Sequence, residues 1–236
     1  MELSTNFVEK MLPYERDAFL WLNQHHSDFW DVFMMTYSGK ILWVPLCIVI
    51  IISLFYKTKW THAVLFLLCF VVLATLCDQL SASVIKPFFS RLRPSHHPDF
   101  RDYVQIVNDY RGGRLGFVSA HAANGFGAAV FISLVFRYRL LTVTVFLWAL
   151  INSYTRIYLG VHFISDIIGG MILGSILGGL IYLLYQYGRV KFLKQTSVEI
   201  SQSIYTPKHG RIIITAIMAL VLFNIFYSLF SIYCPK

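Results

Sequence analysis

The segment from 155 to 166 places three side chains able to do chemistry, Arg156, His162 and Asp166, between two long apolar runs. Charged residues are costly beside a membrane core, so their position there indicates a function. Gly160 predicts a tight turn between two helices. His162 and Asp166 are four residues apart, and we expect both on the opening turn of the next helix, where the carboxylate can meet the imidazole.

Two other segments carry side chains that suit the same site. Lys86 and Arg93 follow one apolar run, and Ser119 and His121 begin another. Arginine binds phosphate oxygens in pairs and lysine acts as a point charge. Ser119 is a plausible N-cap, and the free N–H groups of its helix would face the same anion. If the helices bundle, these segments converge on one pocket, for which phosphate is the ligand that fits best.

The residue types also suggest how the work is divided. We interpret His162 as a nucleophile that Asp166 orients, because the carboxylate selects the tautomer that leaves the attacking nitrogen free. His121 would protonate the departing oxygen and later activate water to cleave a phosphohistidine. The cations of the three segments would stabilise the transition state. No cluster of carboxylates could hold a catalytic metal, so we expect neither a metal nor a cofactor.

The elements that must position these residues are membrane helices. Hydrophobic residues make up 57% of the 236 residues and charged residues only 14%, too few for the surface of a soluble protein. The formal charge is +8, but the sequence shows no soluble face on which basic and aromatic residues are interleaved. We therefore expect no nucleic-acid partner. Six apolar runs are candidates to cross the membrane: about 41–56, 61–84, 119–138, 140–158, 163–187 and 211–232.

The sequence therefore predicts an all-α integral membrane bundle of about six transmembrane helices with N-terminal interfacial helices. It divides into an N-terminal interfacial amphipathic segment at 1–40, a membrane core of five helices at 41–187, a cytoplasmic linker at 188–210 and a C-terminal transmembrane helix at 211–236. Basic loops beside the first, third and fifth helices indicate a cytoplasmic side. The candidate site is on the opposite side, which is also basic, and we attribute those cations to ligand binding.

The three segments resemble the signature of the type-2 phosphatidic acid phosphatase superfamily. The matching pattern is Lys86-x₆-Arg93-Pro94, Ser119-x-His121 and Arg156-x₅-His162-x₃-Asp166, and the resemblance covers about residues 20–187. It implies a metal-independent membrane lipid phosphatase with His162 as nucleophile, Asp166 as orienting acid and His121 as acid/base. The implied phosphate-binding residues are Lys86, Arg93, Ser119, Ala120 and Arg156.

The chain departs from the family pattern at two places. The family commonly has Pro-Ser-Gly-His where this chain has Val118-Ser119-Ala120-His121, and serine where it has Thr155. Alanine keeps the backbone N–H but adds a methyl near the phosphate, and threonine keeps the hydroxyl. We interpret both changes as tuning.

The signature binds the phosphate that many lipids share, so several substrates remain open. They are undecaprenyl pyrophosphate, phosphatidylglycerophosphate, phosphatidic acid and the phosphates of lipid A. The resemblance implies a bacterial inner membrane enzyme with an exoplasmic or periplasmic site, whose partners are its lipid phosphate substrate and membrane lipids. The alternatives are a lipid phosphotransferase and a non-catalytic anion- or lipid-binding protein.

Other polar and small residues have two interpretations each. Arg91 is more simply a residue that snorkels to the interface than part of the site. Asp78 lies inside the second apolar run, and we give equal weight to a functional role and a structural role for it. The adjacent histidines at 25–26 and 96–97 fit surface or interface positions better than zinc binding. Glycines between 169 and 179 predict close helix contact.

Overall fold

A computed structural model describes residues 7–234. The first six residues of the predicted N-terminal segment and the last two of the predicted C-terminal helix lie outside them. The described residues contain no strand beyond an isolated antiparallel bridge between Leu92 and Leu115. They form ten α-helices: α1 Leu12–Asn23, α2 Asp28–Ser38, α3 Val44–Phe55, α4 Trp60–Gln79, α5 Lys86–Phe89, α6 Ala120–Phe136, α7 Arg139–Tyr158, α8 Ile164–Lys191, α9 Ser197–Ile200 and α10 Pro207–Tyr233.

Apolar helices long enough to cross a membrane dominate the described part of the chain. Four qualify: Trp60–Phe89, which joins α4 to α5 through a π-helical turn at Leu80–Ile85, and α7, α8 and α10. A fifth span results if α2 and Ile41–Phe55, bent by 64°, are counted together. Helix α6 is apolar but has 17 residues. The predicted all-α membrane architecture is confirmed.

Helices α6 and α8 form the centre of the bundle because glycines on α8 let the two backbones approach closely. A Cβ built at Gly174 would collide with the carbonyl oxygen of Ala123, and one at Gly178 would lie 2.6 Å from the carbonyl oxygen of Gly127. Such small-residue contacts are a common way for helices to associate in a membrane. The predicted helix contact is confirmed at Gly170, Gly174 and Gly178 but not at Gly179, and it fixes the start of α6 beside the start of α8.

The two N-terminal helices each have a face buried in the bundle. On α1, Phe19 is buried against Phe100 and Phe163, the latter next to His162. The side chain of Asn23 donates hydrogen bonds to the carbonyl oxygens of Gln105, Ile157 and Tyr158, at 3.0, 3.2 and 2.9 Å. Helix α1 is thereby attached to the turn between α7 and α8.

Candidate active site

The first cluster of cations is held where the α4–α5 helix ends and the chain becomes extended. Ser90 ends the helix with a left-handed backbone, φ 48°. The next residues pair with the 114–116 segment, since Arg93 N donates to Arg114 O at 3.1 Å and Gly116 N donates to Arg91 O at 2.8 Å. The side chain of Arg93 also donates from Nε to Leu115 O at 3.0 Å, which leaves the outer end of its guanidinium for a ligand.

The turn between α7 and α8 presents His162. Gly160 has φ +67°, and a Cβ there would lie 2.5 Å from Cγ1 of Val104, so the predicted tight turn is confirmed. The expected position of His162 on the opening turn of α8 is wrong, because the helix begins at Ile164. Asp166 instead reaches back from the first turn, and its Oδ2 accepts from Phe163 N at 3.0 Å and lies 3.2 Å from His162 Nδ1.

The start of α6 is attached to the same turn. Ser119 is the N-cap, as predicted, since its Oγ accepts from Ala122 N at 3.4 Å. Its own N–H donates to the carbonyl oxygen of Asp166 at 2.9 Å. The N-terminus of α6 is therefore fixed next to His162.

A cavity of about 810 Å³ opens beside these groups, between α3, α4, α6 and α7. Among the predicted site residues, its lining includes Lys86, Arg93, Ala120, His121 and His162. The other three predicted site residues lie next to the cavity. Asp166 and Ser119 are behind His162, and the carbonyl oxygen of Arg156 accepts from His162 N at 3.2 Å. The structure thus brings every predicted site residue together.

Arg156 is 2% exposed and is aimed by two residues that the sequence analysis did not select. It donates from Nη2 to the hydroxyl of Tyr110 at 3.0 Å and from Nη1 to Oγ of Ser38, which lines the cavity at the bend between α2 and α3. Thr155 donates its hydroxyl to Asn152 O at 2.6 Å. The hydroxyl of this threonine, which stands where the family commonly has serine, therefore bonds within helix α7 and contributes to helix packing.

Arg91 is not a snorkelling residue, and that interpretation was wrong. It is 1% exposed, donates from Nη1 to Asp166 Oδ1 at 3.0 Å and to Ser165 Oγ at 2.5 Å, and lies over the ring of Phe163. The other arm of its guanidinium donates to Glu15 Oε1 at 2.6 Å. A buried guanidinium between two carboxylates compensates their charge, which an interfacial cation would not do.

Glu15 is a further site residue, besides Ser38 and Tyr110, that the sequence did not identify. Its carboxylate accepts from Ser165 N and from Ser165 Oγ, both at 2.7 Å, in addition to the contact with Arg91. A single glutamate in an amphipathic helix, 150 residues from its partner in sequence, has no spacing that would identify it. The amphipathic N-terminal segment was the one available signal.

The surroundings of His162 keep its imidazole neutral. Burial lowers the pKa of His162 well below its usual range, and the nearby guanidinium groups of Arg93 and Arg156 lower the pKa further. With Nδ1 directed to Asp166, Nε2 is the nitrogen that remains for a ligand in the cavity. A neutral nitrogen facing several fixed cations is suited to attack an anionic group.

Similarity to known proteins identifies the family of this chain. Residues 64–189 match the PAP2 superfamily. The chain belongs to the PAP2 superfamily. It is similar to a lipid A 4'-phosphatase of Porphyromonas gingivalis, with 46% identity over 187 residues that cover 79% of each protein. It is also similar to a lipid A 4'-phosphatase of Bacteroides thetaiotaomicron, with 40% identity over 178 residues, 75% of this chain and 79% of that protein.

Two solved structures have the same fold as this chain. Aquifex aeolicus LpxE superposes with a TM-score of 0.54 at 26% identity, over 73% of this chain and 96% of that one. A PAP2-type phosphatidylglycerolphosphate phosphatase of Bacillus subtilis superposes with a TM-score of 0.55 at 21% identity, over 78% and 89%. The resemblance seen in the sequence is confirmed: this PAP2 protein is an integral membrane lipid phosphatase.

Proposed function

We propose that this PAP2 protein hydrolyses a lipid phosphate without a metal, through a phosphohistidine on His162. The observation that carries the proposal is the contact of Nδ1 of His162 with Asp166, which leaves Nε2 in a cavity lined also by His121 and three cations, Lys40, Lys86 and Arg93. Asp166, His162 and His121 act as the catalytic residues. The phosphate is bound by Lys86, Arg93, Ser119, Ala120 and Arg156, the last two through a backbone N–H and a guanidinium.

Two displacements at phosphorus complete the reaction. Nε2 of His162 forms a bond to phosphorus as the bond to the lipid oxygen breaks, and His121 gives its proton to that oxygen. His121 then takes a proton from water, whose oxygen attacks phosphorus and breaks the N–P bond. Inorganic phosphate leaves and both histidines return to their initial states. Throughout, Arg93 and Arg156 stabilise the negative charge on the phosphoryl oxygens.

Lipid A bearing a 4'-phosphate is the substrate that we rank first. The two relatives that share 46% and 40% identity are named for that activity. The more distant phosphatidylglycerophosphatase B of Bacillus subtilis, 26% identical over 57% of this chain and 63% of that protein, supports phosphatidylglycerophosphate as the second choice.

Phosphate release from purified protein tests the hydrolase proposal. The substrates are lipid A with a 4'-phosphate, phosphatidylglycerophosphate, phosphatidic acid and undecaprenyl pyrophosphate, each with and without EDTA. We expect release that EDTA does not affect and that His162→Ala reduces by at least about 10³-fold. If EDTA abolished release, the metal-free mechanism would be wrong. Transfer of labelled phosphate to a lipid acceptor in place of water would favour the phosphotransferase alternative.

The proposal places the protein in a bacterial inner membrane with the site on the periplasmic side. It also divides the chain into the interfacial segment 1–40, the core 41–187, the cytoplasmic linker 188–210 and the last helix 211–236. The support is the basic loop at Lys57 and Lys59 and the one at Arg137 and Arg139, both at the helix ends away from the site.

Thiol labelling in intact cells tests this orientation. Asp102, exposed in the loop that precedes α6, is changed to cysteine in a chain whose own cysteines are serine, and Lys57→Cys is the matched variant for the other side. An impermeant maleimide that crosses only the outer membrane should label the first variant and not the second. The reverse pattern would invert the topology.

A further inference from the structure

The lining of the cavity changes with depth along α4. Lys86 lies at the phosphate end, Asp78 and Gln79 follow, and Leu73 and Phe70 form the far end. The π-helical turn separates Asp78 from Lys86, and at about 1.5 Å per residue of α-helix Phe70 is roughly 12 Å below Asp78. Cationic, hydrogen-bonding and apolar groups therefore succeed one another towards the middle of the membrane.

The two helices that face α4 repeat this order. On α6, Asn124 follows His121 by one turn and Ala128 follows Asn124 by another. On α7, Asn152 lies one turn below Arg156 and Trp148 one turn lower still. We call Asp78, Gln79, Asn124 and Asn152 the polar layer. Three helices contribute to it, so it is a property of the cavity and not of one helix.

Two residues of this layer, Asp78 and Asn152, have side-chain oxygens without a hydrogen-bond partner in the described part of the chain. Within residues 7–234 the carboxylate of Asp78 has neither a hydrogen bond nor a salt bridge, although it lies inside an apolar helix where a charge is expensive. Oδ1 of Asn152 is buried and also lacks a partner among these residues. Such groups in a membrane cavity call for a ligand that supplies hydrogen bonds.

The chemistry of Asp78 indicates what that ligand is. A carboxylate repels phosphate, so it cannot extend the phosphate site; it accepts hydrogen bonds from hydroxyl or amide N–H groups. The side-chain amides of Gln79, Asn124 and Asn152 both donate and accept. Gln79 already accepts from Ser83 Oγ, and Asn124 donates to Ala120 O. A sugar that carries hydroxyls and amides can bond to Asp78 and Asn152, whereas the hydrocarbon of a polyprenyl diphosphate would leave these two residues unpaired.

We propose that the polar layer binds the sugar that joins the phosphate of the substrate to its acyl chains, and so selects phosphorylated glycolipids over other lipid phosphates. The proposal rests on the phosphatase function stated above and names the residues that would set its substrate class. The phosphate occupies the cationic end, the sugar lies at the polar layer and the acyl chains begin at the apolar end.

A ratio of activities tests the polar layer. We would measure kcat/KM for lipid A with a 4'-phosphate and for dioleoyl phosphatidic acid, in the wild type and in Asp78→Leu, Asn152→Leu and Asp78→Asn. Loss of a hydrogen bond to the sugar should lower the ratio of glycolipid to phosphatidic acid by roughly tenfold or more in both leucine variants. Asp78→Asn, which still hydrogen-bonds, should lower it less. Asp102→Asn, at an exposed carboxylate outside the cavity, should leave it unchanged.

Other results of this experiment would refute either the sugar site or the phosphatase proposal. If Asp78→Leu and Asp78→Asn reduce both activities equally, Asp78 acts only through the charge of Lys86, and the sugar site is refuted. An unchanged ratio in the leucine variants refutes it as well. If the folded wild type releases phosphate from none of the four lipids of the phosphate-release test, the phosphatase proposal itself fails, and that result differs from both.

Discussion

The carboxylate of Asp166 accepts from three donors at once. Its Oδ2 is shared by Nδ1 of His162 and the backbone N–H of Phe163, and its Oδ1 accepts from Arg91. Arg91 is in turn held by Glu15, so the buried carboxylate of Asp166 and the partly buried carboxylate of Glu15 lie on either side of one guanidinium. The imidazole of His162 is thus oriented by a chain of charged groups that ends on α1.

Removing the charge of Glu15 should slow catalysis more than it weakens binding. In Glu15→Gln the guanidinium of Arg91 loses one anionic partner, so Asp166 is held less firmly. We expect kcat to fall by roughly tenfold with KM within about twofold, because small misplacements of reacting groups are costly. Asp17→Asn, an exposed carboxylate on the same helix, is the control and should match the wild type. An unchanged kcat in Glu15→Gln would show that α1 does not position the nucleophile.

The neutral state of His162 predicts that folding stability depends on pH. Its pKa is lowered in the folded protein by burial and then by Arg93 and Arg156. Below a pH of about 6.5 the unfolded chain binds a proton that the folded protein does not, so stability falls as pH decreases. Between pH 7.5 and 5.5 the free energy of unfolding should decrease by about 1 kcal/mol from this residue. Denaturation in detergent should show a smaller pH effect for His162→Gln; an equal effect in both proteins would contradict the prediction.

At the scale of the helices, the contact between α6 and α8 determines whether the site exists. The glycines of α8 lie against the backbone of α6, and the hydrogen bond from Ser119 to Asp166 closes the same contact at the site end. A change in the distance between these helices would therefore separate His121 from His162 without altering either residue.

A pair of glycine substitutions isolates that contact. A Cβ at Gly174 would meet Ala123, whereas among the described residues a Cβ at Gly179 has nothing within 4 Å. We expect Gly174→Ala to lose about 1–3 kcal/mol through overpacking, with reduced phosphate release. Gly179→Ala should gain up to about 1 kcal/mol from the higher helix propensity of alanine. Thermal unfolding of both variants gives the comparison, and similar midpoints would show that the helices can move apart freely.

Across the whole molecule, local patterns predicted more than distant contacts. Apolar runs predicted the membrane helices, and the fixed spacing around Arg93, Ser119 and His162 predicted which residues meet. Their catalytic roles stay predictions. The position of Glu15 and the burial of Arg91 depend on how α1 packs against the start of α8, which no periodicity in either segment encodes. The bend between α2 and α3, which brings Ser38 to Arg156, is unpredictable for the same reason.

The contact between Glu15 and the start of α8 has a consequence for biosynthesis. Glu15 is synthesised 150 residues before Ser165. Until residues 162–166 have been synthesised, Arg91 lacks Asp166 and the site lacks His162. The proposed site is therefore incomplete while the helices before α8 enter the bilayer, and we expect activity only once α1 and the start of α8 are in contact.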